Sequence, residues 1–384
     1  MVDGIVSSAD DVVRGLIERH GPVGFDVLMD AALYHPDHGF YASRGQAGRR
    51  GDFITSPEVG PLFGAVLAGA IDQWWHEAGE PSVFAVIEAG AGPGTLARSV
   101  LHHQPACSAA LRYVLVEASA SQRAQHATGM RLEDTASAFA SFAVPDDDEP
   151  PASPPAGPIV VSMERLPRVP GPCVVVANEL LDNLPFGLAE RTADGWIEVR
   201  VGLEHGALTE VGVPLDHAEA ARLERLAPQA MPRARVPLPR AAARWVHEAV
   251  ALAGATGRVI AFDYATTSAD LASRPQDEWL RTYRAHDRGD GPLQELGRQD
   301  ITSEVAIDQL GITPTSNRSQ AEWLRAHGVD EIVEEGRRVW KERAHLGDLE
   351  AVRARSRITE AEALLDPAGL GAFRVLEWVG PQVD

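Results

Sequence analysis

The chain has 384 residues, 45% hydrophobic and 23% charged, a folded-protein composition with room for one large core and a second lobe. A formal charge of −20 argues against partners that present phosphate backbones or anionic lipid; no nucleic acid and no membrane is expected, whereas a cationic substrate would suit it. No apolar run approaches the ~20 residues that cross a bilayer, and the start Met1-Val2-Asp3-Gly4 has neither a basic secretory region nor an Arg-rich transit pattern, so a cytoplasmic protein is expected.

Residues 10–33 read as helix in two pieces: Val12, Val13, Leu16 and Ile17 make one stripe, Phe25, Leu28, Met29, Ala32 and Leu33 another, and Gly21-Pro22 breaks between them. Residues 34–60, rich in Gly, His, Asp and Ser, read as a long ordered loop of the kind that often carries function. Its His35 and His38 have the spacing of a metal pair but no third ligand follows, so no metal is expected. A helix over 61–78 leads to the strand Val83-Phe84-Ala85-Val86-Ile87, closed by Glu88. Further strands are read at Tyr113–Val116 (closed by Glu117), Cys173–Ala177 (closed by Asn178-Glu179) and Val259–Phe262 (closed by Asp263). The two cysteines, Cys107 and Cys173, build neither a disulfide framework nor a zinc site, and the prolines within 145–158 prevent its aspartates from wrapping an ion. Residues 196–257 break the rhythm: an alternating strand at Trp196–Val201, a helix over 215–226, a connector over 228–239 and a helix over 241–252. The tail carries a helix near 319–327, a charged helix near 334–365 and a closing strand at Phe373–Leu376.

Strands alternating with helices predict a doubly wound, mostly parallel α/β sheet whose ligands sit at the carboxyl ends of the strands. Four of the core strands read here end in polar or acidic residues there, which favours a site over ordinary turn capping. The loop after Glu88 has glycines at 90, 92 and 94 and runs into the helical Thr95–Leu101. Absent β-carbons let the backbone approach a ligand, and the free amides at a helix start favour an anion. A dinucleotide fingerprint would place the third glycine one residue later and no acid before the first. Acid-x-Gly-x-Gly-x-Gly resembles motif I of the S-adenosylmethionine-dependent methyltransferases, with the loop amides for a methionine carboxylate and Glu88 for its ammonium. Glu117 has the position of an acid that accepts ribose hydroxyls. Were the chain helical after Asn178, Glu179 and Asp182 would share one face, where two carboxylates could hold a guanidinium or merely stabilise a helix start.

Three blocks widen the resemblance: Tyr34-His35-Pro36-Asp37-His38-Gly39-Phe40-Tyr41, Gly51-Asp52-Phe53-Ile54-Thr55-Ser56-Pro57-Glu58 and Pro61-Leu62-Phe63-Gly64. They resemble the N-terminal signature of the MidA-like methyltransferases, a family that includes the mitochondrial arginine methyltransferase needed for respiratory complex I assembly. Glu88–Leu96, Asn178–Pro185, Phe262-Asp263-Tyr264, Gln299–Thr302, Gln320–Leu324 and the close at Pro367–Leu376 extend the likeness over nearly the full length. The resemblance implies a Rossmann-like methyltransferase core with N-terminal helices and an inserted or appended substrate lobe. It implies residues 1–80 as N-terminal helices with a loop over the cleft, 81–195 and 256–384 as the core, and 196–255 as the lobe. The implied cofactor is S-adenosyl-L-methionine, held by Glu88, Gly90, Ala91, Gly92, Gly94, Glu117, Asp52, Thr55 and Asn178. Glu179, Asn178 and Asp182 are the implied catalytic residues. The family's Asp-Tyr-Gly is Asp263-Tyr264-Ala265 here, and its Gly-Thr-Leu is Arg281-Thr282-Tyr283, which leaves the substrate open. The expected function is methyl transfer to a protein arginine, on a respiratory-complex subunit or an assembly partner. A small-molecule O- or N-methyltransferase and a non-catalytic assembly factor are the alternatives, and a homodimer is left open.

Overall fold

The computed structural model describes residues 8–43, 55–139, 156–169, 171–284 and 287–380. Its centre is a seven-stranded sheet. We number its strands β1 (Phe84–Ala89), β2 (Leu111–Val116), β3 (Ile159–Met163), β4 (Cys173–Asn178), β5 (Arg258–Asp263), β6 (Ser316–Ser319) and β7 (Arg374–Val379). The spatial order is β3-β2-β1-β4-β5-β7-β6, and β7 runs antiparallel to both of its neighbours while the remaining pairs are parallel. The order reverses between β1 and β4, so the crevice at their carboxyl ends is the switch point where an open α/β sheet takes its ligand.

The expected α/β core is therefore present, and the strand residues explain it. Both faces of β1, β2 and β4 are covered, which is why their sequences run apolar without alternation. Helix α1 (Pro61–Glu77), started by proline at its first position, packs on one face with Phe63, Val66, Leu67 and Ile71 fully buried. Helix α2 (Arg240–Ala253) covers the other face through Ala242, Val246 and Ala249. On the α1 side, Phe262 of β5 meets Phe63 edge-on at 5.1 Å and Trp323 edge-on at 4.9 Å. The tail docks there too: the buried carboxylate of Glu360 accepts the amide of Leu62 at 2.8 Å and so satisfies a free donor at the start of α1.

The second lobe is a five-stranded antiparallel sheet. Gly195–Glu204 pairs with Gly187–Thr192, with Ala207–Pro214 and with the short Val23–Gly24, and Arg235–Leu238 completes it beside Gly187–Thr192. Apart from Val23–Gly24, the lobe strands thus begin at Gly187, ahead of Trp196, whereas Arg240–Ala253 packs on the core sheet. The N-terminal helices Ala9–His20 and Phe25–Tyr34, which cap and break at Gly21 as read from the sequence, pack with this lobe through Val13, Leu28, Trp196 and Leu238.

Several elements depart from the sequence reading for identifiable reasons. The connector 228–239 holds the strand Arg235–Leu238, whose Pro237 is tolerated because the strand lies at the edge of its sheet. The charged helix near 334–365 is two, Val329–Arg343 and Leu349–Leu364, separated at Gly347 (φ 60°). The 34–60 loop contains two short helices, Phe40–Ser43 and Ser56–Val59, while its middle lies outside the described residues. Among the described residues no helix is long and apolar enough to cross a membrane.

Removing the ring at the centre of the α1 face should show how much of the fold rests on it. Phe262→Ala is expected to destabilise the protein by about 3–5 kcal/mol. Urea unfolding should give a lower midpoint at unchanged slope, and a loss below about 1 kcal/mol would mean that the layer repacks.

Candidate active site

A cavity of about 540 Å³ opens at the switch point. Glu88 near the end of β1 and Gly90, Ala91 and Gly92 after it, Glu117 after β2, and Asn178 and Glu179 at the end of β4 all line it, with Thr55 from the N-terminal segment. These are eight of the residues read as a site from the sequence. Asp52 lies outside the described residues.

The glycine loop is bent as its composition requires: Gly90, Gly92 and Gly94 have φ of 68°, 53° and 81°. A β-carbon on Gly92 would find nothing nearer than Gln122 Oε1 at 4.0 Å, so this face is open to a ligand. Gly94 does not line the cavity; a β-carbon there would lie 2.9 Å from Met130 Cε and 3.2 Å from Leu115 Cδ2. Its missing side chain serves packing and the helix start, since it caps Thr95–His102.

Glu88 is buried and accepts the Tyr113 hydroxyl at 2.6 Å; burial pushes its carboxyl up to about 7. Glu117 accepts the amide of Gly92 through Oε2 (2.9 Å) and that of Ser119 through Oε1 (2.8 Å), which ties the end of β2 to the loop of β1. Burial raises its carboxyl too.

The turn after β4 is not helical. Glu179 has φ 50°, a left-handed conformation unusual for a residue with a β-carbon, so Glu179 and Asp182 do not share a helix face as the sequence reading supposed. Instead Glu179 Oε1 accepts the Ser56 amide (3.3 Å) and Asn178 Nδ2 (3.1 Å). Burial, then the nearby Asp182, push its carboxyl up to about 8. Asn178 Oδ1 is buried with no hydrogen-bond partner among the described residues, an acceptor left for a donor from elsewhere.

Asp182 stands behind the wall rather than in it. It accepts the Thr302 hydroxyl at 2.6 Å, and the amides of Leu181 and Asp182 donate to Asp263 Oδ2 at 2.8 and 3.4 Å. Asp263 is thus the buried post around which the turn closes. Burial raises both carboxyls, and the charge of Asp182 raises Asp263 further. Asp300 joins this inner cluster: it accepts Tyr41 Oη (2.9 Å) and Asn183 Nδ2 (3.2 Å), and burial pushes it up to about 7. Among the described residues no arginine or lysine forms an ion pair with Glu179, Asp182, Asp263 or Asp300. Nor is any group of three His, Cys, Asp or Glu there arranged to hold a metal; His35 Nδ1 accepts the amides of Asp37 and His38.

The sequence reading missed part of the wall. Tyr34 and Tyr41 line it at the lobe side, their rings 5.5 Å apart, and Glu164, Leu166, Trp245 and Glu248 line it as well. Glu164 follows β3, whose Ile159-Val160-Val161 is β-branched enough to be read as a strand. Recognising that strand would have added a fifth acid-closed end at the same edge.

Comparison with known proteins bears on this arrangement. A family model for S-adenosyl-L-methionine-dependent methyltransferases matches residues 66–322. The chain is 30% identical over 194 residues to the protein arginine methyltransferase NDUFAF7 homolog, mitochondrial, of Drosophila melanogaster, an overlap of 49% of this chain and 43% of that protein. It is 28% identical over 202 residues to protein arginine methyltransferase NDUFAF7, mitochondrial, of Xenopus tropicalis, covering 50% and 45%. The matches therefore span less than half the length of these curated relatives. A Burkholderia thailandensis protein whose crystal structure holds S-adenosyl-homocysteine superposes with a TM-score of 0.77 at 26% identity, over 97% of this chain and 91% of that one. Because the family match runs from within α1 to Glu322 and so takes in all five strand-end acids and amides around the cavity, the chain belongs to the MidA-like family of S-adenosyl-L-methionine-dependent methyltransferases.

Proposed function

We propose that the chain methylates an arginine side chain of a protein, on a respiratory-complex subunit or one of its assembly partners. One observation carries the reading most. Glu179 is a half-buried carboxylate in the same cavity as the glycine loop, with no cation paired to it among the described residues. A guanidinium is the side chain best able to satisfy such a group, by charge-assisted hydrogen bonds in a fixed plane. The arginine activity named for the fly and frog relatives supports the same class, at modest identity.

S-adenosyl-L-methionine supplies a methyl group on a sulfonium, an electrophile that needs no further activation. The residues present fit it: a glycine loop with an open face at Gly92 for the methionine moiety, Glu88 for its ammonium and Glu117 for ribose hydroxyls. The work left to the protein is alignment and desolvation of the acceptor. Asn178 Nδ2 and the Ser56 amide fix Oε1 of Glu179, which directs the remaining oxygen at the acceptor. Asp182, held by Thr302 and braced by Asp263, keeps negative potential behind Glu179. The helix Ser56–Val59 brings the N-terminal segment over the cleft and shuts out water.

Four measurements test this. Gly92→Val puts a branched side chain on a left-handed backbone at the open face and should abolish S-adenosyl-homocysteine binding in calorimetry. Glu179→Gln should leave that affinity within a few-fold and slow transfer by at least ~10²-fold; undiminished turnover removes Glu179 from the reaction. Ionised Glu179 is the form that receives a guanidinium, and its carboxyl sits up at about 8, so kcat/KM should rise from pH 6 through a midpoint near 8 and level off above about 9. The same limb persisting in Glu179→Gln would assign it to another group. Finally, methyl-labelled donor incubated with extract from cells lacking the gene should label a protein band that yields methylarginine on hydrolysis. Label confined to a metabolite would establish the small-molecule reading instead.

A further inference from the structure

The glycine loop is held from behind by a residue that none of its motifs contains. His126 follows the short helix Ala120–Arg123 and is fully buried, outside the cavity wall. Its Nε2 lies 2.8 Å from the carbonyl oxygen of Gly92, and its Nδ1 lies 2.8 Å from Ser162 Oγ on β3. A carbonyl only accepts, so the ring proton sits on Nε2; Nδ1 then accepts the Ser162 hydroxyl. Burial lowers the affinity of the ring for a second proton, which keeps this neutral tautomer in place. The edge of the ring also fills the space left by Gly94, where a β-carbon would lie 3.3 Å from His126 Cδ2.

Gly92 is therefore gripped at both of its polar groups. Its amide donates to Glu117 Oε2 at 2.9 Å, and its carbonyl accepts from His126. A residue at φ 53° in a loop of three glycines has many other conformations open to it, several of which would turn the carbonyl into the cavity. A carbonyl there would face the carboxylate of a methionine moiety and repel it. The donor on His126 removes that alternative by making the buried orientation the satisfied one.

We propose that His126 is a positioning residue for the cofactor. By hydrogen-bonding the Gly92 carbonyl through Nε2, it holds that carbonyl out of the cavity, keeps the open face of Gly92 toward the ligand and leaves Glu117 aimed at the ribose. This rests on the reading that the glycine loop binds S-adenosyl-L-methionine.

Two isosteric variants separate positioning from simple core filling. The amide nitrogen of His126→Gln reaches the place of Nε2 and keeps the donor to Gly92, whereas His126→Asn reaches only the place of Nδ1 and keeps the contact with Ser162. S-adenosyl-homocysteine titrated calorimetrically into the full chain should bind His126→Gln within about threefold of the parent. His126→Asn and His126→Ala should bind about tenfold or more weakly, and thermal melts without ligand should show the Gln and Asn variants destabilised alike. Equal affinity in Gln and Asn, whether both native-like or both weakened, overturns the proposal. Failure of the parent protein itself to bind would overturn the reading of the loop, and the role of His126 with it.

Discussion

Carboxylates buried without cations are costly, and this molecule gathers them at one edge of its sheet. Glu88, Glu179, Asp182, Asp263 and Asp300 are each shifted toward the protonated form by burial. Each is stabilised by short donors from a different part of the chain: Tyr113 from β2, Ser56 from the N-terminal segment, Thr302 and Tyr41 from the lobe side, and backbone amides of the turn after β4. The N-terminal segment, the strand at Thr302 and the turn after β4 supply most of those donors. The cost of the cluster is offset structurally by these donors.

That view explains why the chain enters the site from so many directions. Tyr41 donates to Asp300 while its own carbonyl accepts Ser119 Oγ at 2.8 Å, so the N-terminal segment links the acidic cluster to the end of β2. Tyr34 donates to the carbonyl of Asn183, which in turn donates to Asp300. Ser56, one residue beyond Thr55, touches Glu179 by its amide and Gln320 by its hydroxyl at 3.0 Å. Ordering the N-terminal segment and shaping the acidic cluster are thus one event. The lobe contributes through packing: its sheet and the N-terminal helices share a single apolar core, which holds Tyr34 and Tyr41 at the cavity wall.

How much of this was legible in the sequence follows from what each part depends on. The core strands were legible because burial on both faces leaves an unbroken apolar run, and the glycine loop because only glycine tolerates its backbone. Four of the strand-end residues were legible because polar residues directly after such runs have few other reasons to be there. Glu164 was hidden because β3 is short and follows a proline-rich stretch. The lobe was half legible: Trp196–Val201 alternates, but Gly187–Thr192 and Ala207–Pro214 mix small and charged residues on an exposed sheet. Glu179 illustrates the limit best. Its type and position were readable, but its left-handed backbone depends on Asp263 accepting the amides that follow, a contact across 81 and 82 residues of chain. Local spacing suggested a helix because spacing carries no information about that partner.

The two departures from the family pattern take on physical meaning in this frame. Ala265 pairs with Val305 in a short parallel ladder, and its neighbour Tyr264 rests on Phe373 with ring centroids 3.9 Å apart. Arg281 is engaged by Glu304 (3.4 Å) and by the carbonyl of Glu278 (2.7 Å), and Thr282 donates to the carbonyl of Asp290. Neither Ala265 nor Arg281–Tyr283 lines the cavity, and the guanidinium of Arg281 is turned to Glu304 rather than to Glu179. A positive charge placed beside the acidic cluster would have cancelled the potential that recommends a cationic acceptor; held by Glu304, it leaves that potential intact. The departures therefore alter the outer shell of the lobe, and the groups that would meet a guanidinium keep the arrangement that the turn after β4 gives them.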